Sequence, residues 1–367
     1  MFDDCVIMAG GSGTRLWPAS SSRLPKQFLP ISEKDTFFST SVKRALSVIC
    51  KKGYVIIIAG KPHIPHVISD IRKLKANEKK RIVVISEPAA KNTAAAIACA
   101  VKYSLFNGSN RNMLVLTSDH IINPLNVFKT NAAAACASAK DKKLVVFGVP
   151  PLHPETGYGY IEAGKIISGI GNVVAFHEKP DLQTAKKYVK NKHFFWNSGM
   201  FAFSAEFMAD VFHRLAPGVI APFEKLKKPA EKHFIKLQGV RVLNSWPGIE
   251  NAYKKTKSIS FDYAIAEKCT QTVMVKTGFE WIDIGNWEEY SKISLNNSGL
   301  VFNASGESCY VDSDIPVALA GVEDLIIVIR SGKNGKPASA LITRKGQTQK
   351  VREVVEQIKK SGYTELL

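Results

Sequence analysis

Across its 367 residues this sequence lacks several things, and each lack removes a class of protein. There is no Cys-x-x-Cys pair: Cys5, Cys50, Cys99, Cys136, Cys269 and Cys309 stand far apart. That spacing argues against a structural zinc site or a disulfide frame and for free thiols in a reducing compartment. No run approaches the ~20 apolar residues needed to cross a bilayer. The chain starts on a strand-like pattern rather than a charged leader, so a cytoplasmic setting without a membrane partner is expected. None of the eight histidines forms H-x-H or H-E-x-x-H, and none follows His233. No internal repeat or low-complexity tract is evident. Apolar residues at 45% and charged residues at 22% exclude wholesale disorder.

What the chain has in excess is positive charge: 50 Lys+Arg against 32 Asp+Glu, a net of +18. From Asn297 onward nine basic residues face eight acidic ones, so +17 of that excess lies in the first 296 residues. It comes in short clusters such as Lys51-Lys52, Lys79-Lys80-Arg81 and Lys254-Lys255. No RGG tract, RNP-type aromatic motif or Cys/His finger accompanies it, so solvated lysines are the plain reading and no nucleic-acid partner is expected.

Short apolar runs alternate with helical stretches through the first half. Cys5–Ala9, Tyr54–Ala59, Arg81–Ser86, Met113–Thr117 and Leu144–Val149 read as buried strands. Thr40–Cys50, Pro65–Lys75, Ala89–Tyr103 and Val127–Ala139 read as helices. The alternation implies an α/β fold: a Rossmann-like mixed, mostly parallel sheet flanked by helices. In such sheets ligands gather at the carboxyl ends of the strands. The middle is less regular, mixing extended segments with helices such as Ala205–Leu215 and Asp262–Lys268. After about Leu300 short strand-like pieces precede a final helix near Lys350–Lys360. Two domains are expected: 1–296, and a small β-rich, short β-helix-like unit at 297–367.

After the first strand comes Ala9-Gly10-Gly11-Ser12-Gly13-Thr14-Arg15-Leu16-Trp17-Pro18, followed by Pro25-Lys26-Gln27. Glycines let backbone N–H groups approach a phosphate closely. A P-loop would need Gly-Lys-Ser/Thr, which is missing; a dinucleotide fingerprint would need glycine where Leu16 stands. A tight turn without ligand leaves Arg15 and Lys26 unexplained. A guanidinium and an ammonium beside one glycine loop suit a triphosphate and the charge of departing pyrophosphate.

This pattern resembles the signature of the nucleotidyltransferases that make nucleotide sugars. Further motifs follow: Glu87-Pro88, Lys91-Asn92-Thr93, Ser118-Asp119-His120, Gly157-Tyr158-Gly159-Tyr160, Glu178-Lys179-Pro180, Trp196-Asn197-Ser198-Gly199, Ser260-Phe261-Asp262-Tyr263 and Trp281-Ile282-Asp283-Ile284-Gly285. Together they resemble the bacterial mannose-1-phosphate guanylyltransferases, strongly over roughly residues 5–290.

The resemblance implies GTP and mannose 1-phosphate as substrates, with GDP-mannose and pyrophosphate as products. It implies a magnesium ion, or another divalent cation, on Asp119 and Asp283; magnesium takes hard oxygens, usually one or two carboxylates plus phosphates. Gly10, Gly11, Ser12, Gly13 and Thr14 would cradle the nucleotide, with Arg15 and Lys26 on its phosphates. Glu87, Asn92 and Thr93 would meet the base, although Asn92 or Thr93 could as ordinarily cap a helix. Lys179 would hold the sugar phosphate, with Glu178, Asn197, Gly157 and Gly159 at the sugar; a surface ion pair is the bland alternative for Lys179. Asp262 and Lys268 are further candidates, with a salt-linked helix as competitor. Some longer relatives carry a cupin-type isomerase domain; a histidine-free tail predicts no isomerase activity here. The tail either packs on the catalytic part or pairs two copies in a homodimer. Rival readings are another sugar-1-phosphate nucleotidyltransferase, using glucose or fucose 1-phosphate or dTTP or UTP, and a non-catalytic sugar-nucleotide sensor.

Overall fold

The computed structural model describes residues 1–11, 13–293, 301–303, 308–332 and 337–367. Ser12 and the expected boundary between residues 296 and 297 lie outside the described residues. In chain order the strands before that boundary are β1 (Phe2–Met8), β2 (Ile49–Gly60), β3 (Ile82–Glu87), β4 (Asn112–Thr117), β5 (His120–Asn123), β6 (Leu144–Val149), β7 (Gly159–Ile167), β8 (Ile170–Glu178), β9 (Phe194–Ser204), β10 (Phe234–Leu237), β11 (Val240–Leu243), β12 (Thr272–Lys276) and β13 (Glu280–Asp283).

Eleven of these form one sheet in the order β10-β11-β3-β2-β1-β4-β9-β6-β12-β8-β7. Only β8, β9 and β10 run against the others, so the sheet is mixed but mostly parallel, as the alternation of strands and helices implied. The central strands carry continuous apolar runs where helices cover both faces. Val55–Ala59 and Ile82–Ile85 are buried residue by residue. One face packs on the helices Asn92–Leu105 and Ala205–Leu215, the other on Phe37–Val48, Ile64–Ile71 and Leu125–Lys140. β7 also pairs with β9, which closes β9-β6-β12-β8-β7 into a ring.

Two short strands stand outside the sheet. β5 and β13 form an antiparallel ribbon whose register sets Asp283 opposite His120. Asp283 is the last residue of β13.

The tail contributes β14 (Val301–Asn303), β15 (Tyr310–Ser313), β16 (Val317–Leu319), β17 (Leu325–Arg330) and β18 (Ser339–Arg344), then the helix Val351–Lys360. β14 pairs in parallel with β16, and β15 with β17. A separate core joins this part to the glycine loop: Leu16, Trp17, Phe37, Ile284 and Trp287 pack with Tyr310, Ile326, Val328, Val351 and Val355. Trp287 is fully buried and donates its indole N–H to the Trp17 carbonyl at 2.9 Å. Trp17 in turn donates to the Leu366 carbonyl at 2.7 Å. Burying a large apolar side chain contributes about 1.5–3 kcal/mol, so these residues fasten the loop from its far side.

Candidate active site

The glycine loop leaves the carboxyl end of β1 and returns through Pro25-Lys26-Gln27. Gly13 has φ +60°, and a side chain there would overlap the Lys26 side chain. Glycine is therefore required for the two ends of the loop to touch. Thr14 opens a single 3-10 turn, Thr14–Leu16. The loop is pinned by Ser20, which donates to the Gly13 carbonyl at 2.5 Å, and by the buried Gln27 amide, which donates to the Ala9 carbonyl at 3.1 Å. Gly10, Gly11 and Arg15 remain exposed, and the Arg15 guanidinium lies against Gly285.

Lys26 does not reach outward with them. Its ammonium is buried between Asp119 Oδ2 at 2.9 Å and Asp283 Oδ1 at 3.2 Å, and donates to the Ile284 carbonyl at 2.5 Å. Lys26, expected on the phosphates, and Asp119 with Asp283, expected on a metal, thus form one ion cluster. The end of β4 supplies Asp119 and the β5–β13 ribbon brings Asp283 beside it. Burial opposes the Lys26 charge, but the two carboxylates outweigh it and raise the Lys26 pKa. Burial likewise opposes the Asp119 charge, and the Lys26 ammonium overrides it, holding that carboxyl below its ordinary range.

His120 completes the cluster. Its Nδ1 accepts from the Trp281 indole N–H at 3.1 Å, which leaves the proton on Nε2, 3.8 Å from Asp119 and 3.9 Å from Asp283. Burial lowers its pKa, so the ring is neutral at neutral pH. Beneath it the buried Arg44 donates to the His120 carbonyl at 3.3 Å. Among the described residues no group of three or more His, Cys, Asp and Glu side chains forms a metal cluster. The Asp119–Asp283 pair nonetheless offers the one or two hard carboxylates that magnesium takes when phosphates complete its shell.

The second group of expected residues gathers where β7 starts and β8 ends. Gly159 pairs with Glu178 in the sheet, and a Cβ on Gly159 would come within 2.6 Å of Glu178 Oε2. Glycine there makes room for the carboxylate. Asn197 donates to Asp262 Oδ1 at 2.8 Å. Lys179 bonds Glu178 at 2.8 Å with its side chain mostly exposed, and its backbone sits at φ +46°, a region that costs most residues energy. Asp262 opens a π-helical turn, Asp262–Ala266, rather than an α-helix. Burial and then Glu178 raise its pKa. Gly157 lies beside this group, its N–H bonded to Glu155 at 2.8 Å. Lys268 is not drawn in: it is exposed, and among the described residues it forms no ion pair with Asp262, so a salt-linked helix is not what holds this segment.

The third group follows β3. Glu87 is buried beside Gly10 and accepts from the Tyr253 hydroxyl at 2.9 Å. Burial pushes its pKa up to about 7. Asn92 is exposed at φ +63°, its side chain accepting from the Thr93 N–H at 2.8 Å. Thr93 does not cap the helix; its hydroxyl accepts from the Phe261 N–H at 2.8 Å and so ties this group to Asp262.

An open cleft of about 980 Å³ is lined by Arg15, Tyr158, Trp196, Trp281, Asp283 and Gln349, among others. Of the expected site residues Arg15, Gly157 and Asp283 line this cleft, whereas Lys26, Asp119, Glu87, Glu178, Lys179, Asn197 and Asp262 do not. A family model described as nucleotidyl transferase matches residues 4–298. The chain belongs to the nucleotidyl transferase family. It is 34% identical over 376 residues to the mannose-1-phosphate guanylyltransferase of Escherichia coli K12, covering 98% of this chain and 74% of that one. It is 32% identical over 368 residues to the xanthan biosynthesis protein XanB of Xanthomonas campestris, with the same coverage of each. A Thermus thermophilus structure named mannose-1-phosphate geranyltransferase superposes with a TM-score of 0.78 at 27% identity, covering 97% of this chain and 99% of that one.

In this nucleotidyl transferase several side chains at the site were not assigned from sequence. His120 had a signal, its place directly after Asp119. Gln27 follows the signature lysine. Trp281 lay inside a recognised motif with no role attached. Tyr253 and Arg44 carry no local signal, since each acts on a partner far away in sequence. Among the described residues no helix is long and apolar enough to cross a membrane.

Proposed function

We propose that this chain transfers GMP from GTP to α-D-mannose 1-phosphate, releasing pyrophosphate and forming GDP-mannose. The observation that carries the reading is the joining of Lys26, Asp119 and Asp283 beside the glycine loop, where a triphosphate can meet both cation and carboxylates. The named relatives support mannose and guanine over other sugars and bases.

The backbone of Gly10, Gly11, Ser12, Gly13 and Thr14 cradles the phosphates, and Arg15 with Lys26 takes up the charge of the departing pyrophosphate. Lys179 steers the sugar phosphate, whose anionic oxygen is already a nucleophile, so catalysis rests on alignment rather than a general base. Glu178 and Asn197 bind sugar hydroxyls, with the backbone at Gly157 and Gly159 close by. Asp262 orients Asn197 through its hydrogen bond, and Lys268 stays at the rim. An ionised Glu87 accepts the N–H donors of guanine, with Asn92 and Thr93 at the edge of the base. Magnesium held by Asp119 and Asp283 supplies charge to the phosphates when bound. The tail, residues 297–367, acts as a separate module that braces the loop through Trp17 and Trp287, and is the surface through which two copies would pair. The six free cysteines suit a cytoplasmic setting.

A matrix of nucleoside triphosphates against sugar 1-phosphates, read by pyrophosphate release, tests the reading. GTP with mannose 1-phosphate is expected to give the highest kcat/KM. Higher turnover with glucose or fucose 1-phosphate, or with dTTP or UTP, replaces the substrate assignment; GDP-mannose binding without turnover replaces it by a sensor.

A further inference from the structure

Three oxygens from two chain segments surround one ammonium: Asp119 Oδ2, Asp283 Oδ1 and the neighbouring Ile284 carbonyl oxygen, all within 3.2 Å of Lys26 Nζ. Two carboxylates and a carbonyl are the donors a hard divalent cation also selects. Lys26 is only 6% exposed, so water does little to screen its charge. Among the described residues no other cationic side chain comes as close: His120 Nε2 is 3.8 Å from Asp119 and 3.9 Å from Asp283, Arg15 lies against Gly285, and Arg44 bonds the His120 carbonyl. Among the described residues Lys26 is therefore the cation that bridges the two carboxylates.

We propose that Lys26 is an internal counter-ion that occupies the divalent-cation position of the ligand-free chain and yields it when a triphosphate arrives. A divalent cation on the same pair of carboxylate oxygens would repel the ammonium about as strongly as the two carboxylates attract it, so Lys26 gains nothing by staying once the metal is seated. With no anion in the cleft, the ammonium has no other partner of equal charge and stays. A polyanion bound along the glycine loop offers phosphate oxygens to the same ammonium. Lys26 then swings from carboxylate to phosphate, and both aspartates are freed together. One side chain thus couples nucleotide binding to metal binding and keeps the metal from loading first. The inference rests on the reading of Asp119 and Asp283 as the metal pair.

Mn²⁺ serves as the probe, its free concentration followed by electron paramagnetic resonance with no nucleotide present. The wild-type chain is expected to bind it weakly, and Lys26→Met to bind it about tenfold more tightly or better. Lys26→Arg, which keeps the charge, is expected to stay weak. The melting temperature gives a second readout: Lys26→Met starts lower than wild type and Mn²⁺ raises it more. If the methionine variant does not fold, Lys26→Gln, which retains a donor for the Ile284 carbonyl, replaces it. Equal Mn²⁺ affinity in wild type and the neutral variant overturns the proposal, as does tight binding by wild type without nucleotide. Adding Asp283→Asn to Lys26→Met tests whether the tight site is the Asp119–Asp283 pair. Loss of the tight binding upholds both the counter-ion role and the metal pair, whereas its persistence places the metal elsewhere and overturns both. Mn²⁺ that requires Asp283 in the presence of a non-hydrolysable GTP analogue, but is indifferent to Lys26 in its absence, overturns the counter-ion role alone.

Discussion

At the end of β4, two carboxylates share one buried ammonium; at the end of β8, two acids crowd each other and the nearest ammonium, Lys179, is mostly in solvent. Each cluster holds two acids and one ammonium, a formal charge of −1, but in the first the ammonium is buried and bonds both acids, tying the loop, the end of β4 and the β5–β13 ribbon together. In the second the ammonium pairs with Glu178 and not with Asp262: Asp262 is raised by burial and by Glu178, and among the described residues its side-chain hydrogen bond is to the neutral Asn197 amide. The difference suits the two substrates. A triphosphate brings its own charge and can exchange places with a carboxylate on Lys26. A sugar brings hydroxyl donors, and unsatisfied carboxylate oxygens are the acceptors it needs.

The comparison is broken most severely at Lys26. Lys26→Ala leaves Asp119 and Asp283 facing each other without a cation. A loss of roughly 3 kcal/mol of stability is expected, with kcat down about 10³-fold. Asp283→Asn is expected to reduce turnover comparably while keeping the fold. Denaturant unfolding beside steady-state kinetics checks both variants, and near-normal rates in either would sink the assignment.

At the sugar-side cluster the expected effect is smaller and opposite in sign. Because the Asp262 carboxyl is raised in the folded chain, the folded state binds its proton more tightly than the unfolded state does. Its contribution is thus fully present at low pH and is lost as pH rises through the raised pKa. Asp262→Asn removes that loss. The variant's melting temperature should fall less than wild type's between mildly acidic and mildly alkaline pH; parallel curves would show that Asp262 is not strained by its neighbours.

The third contrast is at the base. Glu87, pushed up to about 7 by burial, is half protonated near neutrality, and its protonated form accepts fewer guanine donors. KM for GTP is expected to rise several-fold as pH falls below 7, with kcat little changed. The Tyr253 hydrogen bond favours the ionised form. Tyr253→Phe should therefore move the KM transition to higher pH, and a profile that does not shift would remove Tyr253 from any role in positioning Glu87.

Most of the sheet was legible in the sequence, since strands buried on both faces are unbroken apolar runs, as at Val55–Ala59 and Ile82–Ile85. The glycine loop was legible because its conformation demands glycines at fixed places. The β5–β13 ribbon was not. Each strand has four residues, too few to show a period, and they pair across about 160 positions. The π-helical turn at Asp262 was read as an ordinary helix because its residues suit either form. Tyr253 had no signal at all, since a lone tyrosine in a helix is usually core.

By itself the sequence determined which chemical groups this transferase could use: a loop that admits phosphate, basic residues beside it, and acids and amides at the strand ends. Those follow from local rules, where glycine, apolar runs and short motifs act on their own neighbours. Only the tertiary structure decided that Lys26 spends its charge on Asp119 and Asp283, that His120 is neutral, and that Asp262 and Glu178 oppose each other. Charge–charge energies depend on distance through space and on burial, and neither is set until strands remote in sequence have packed together.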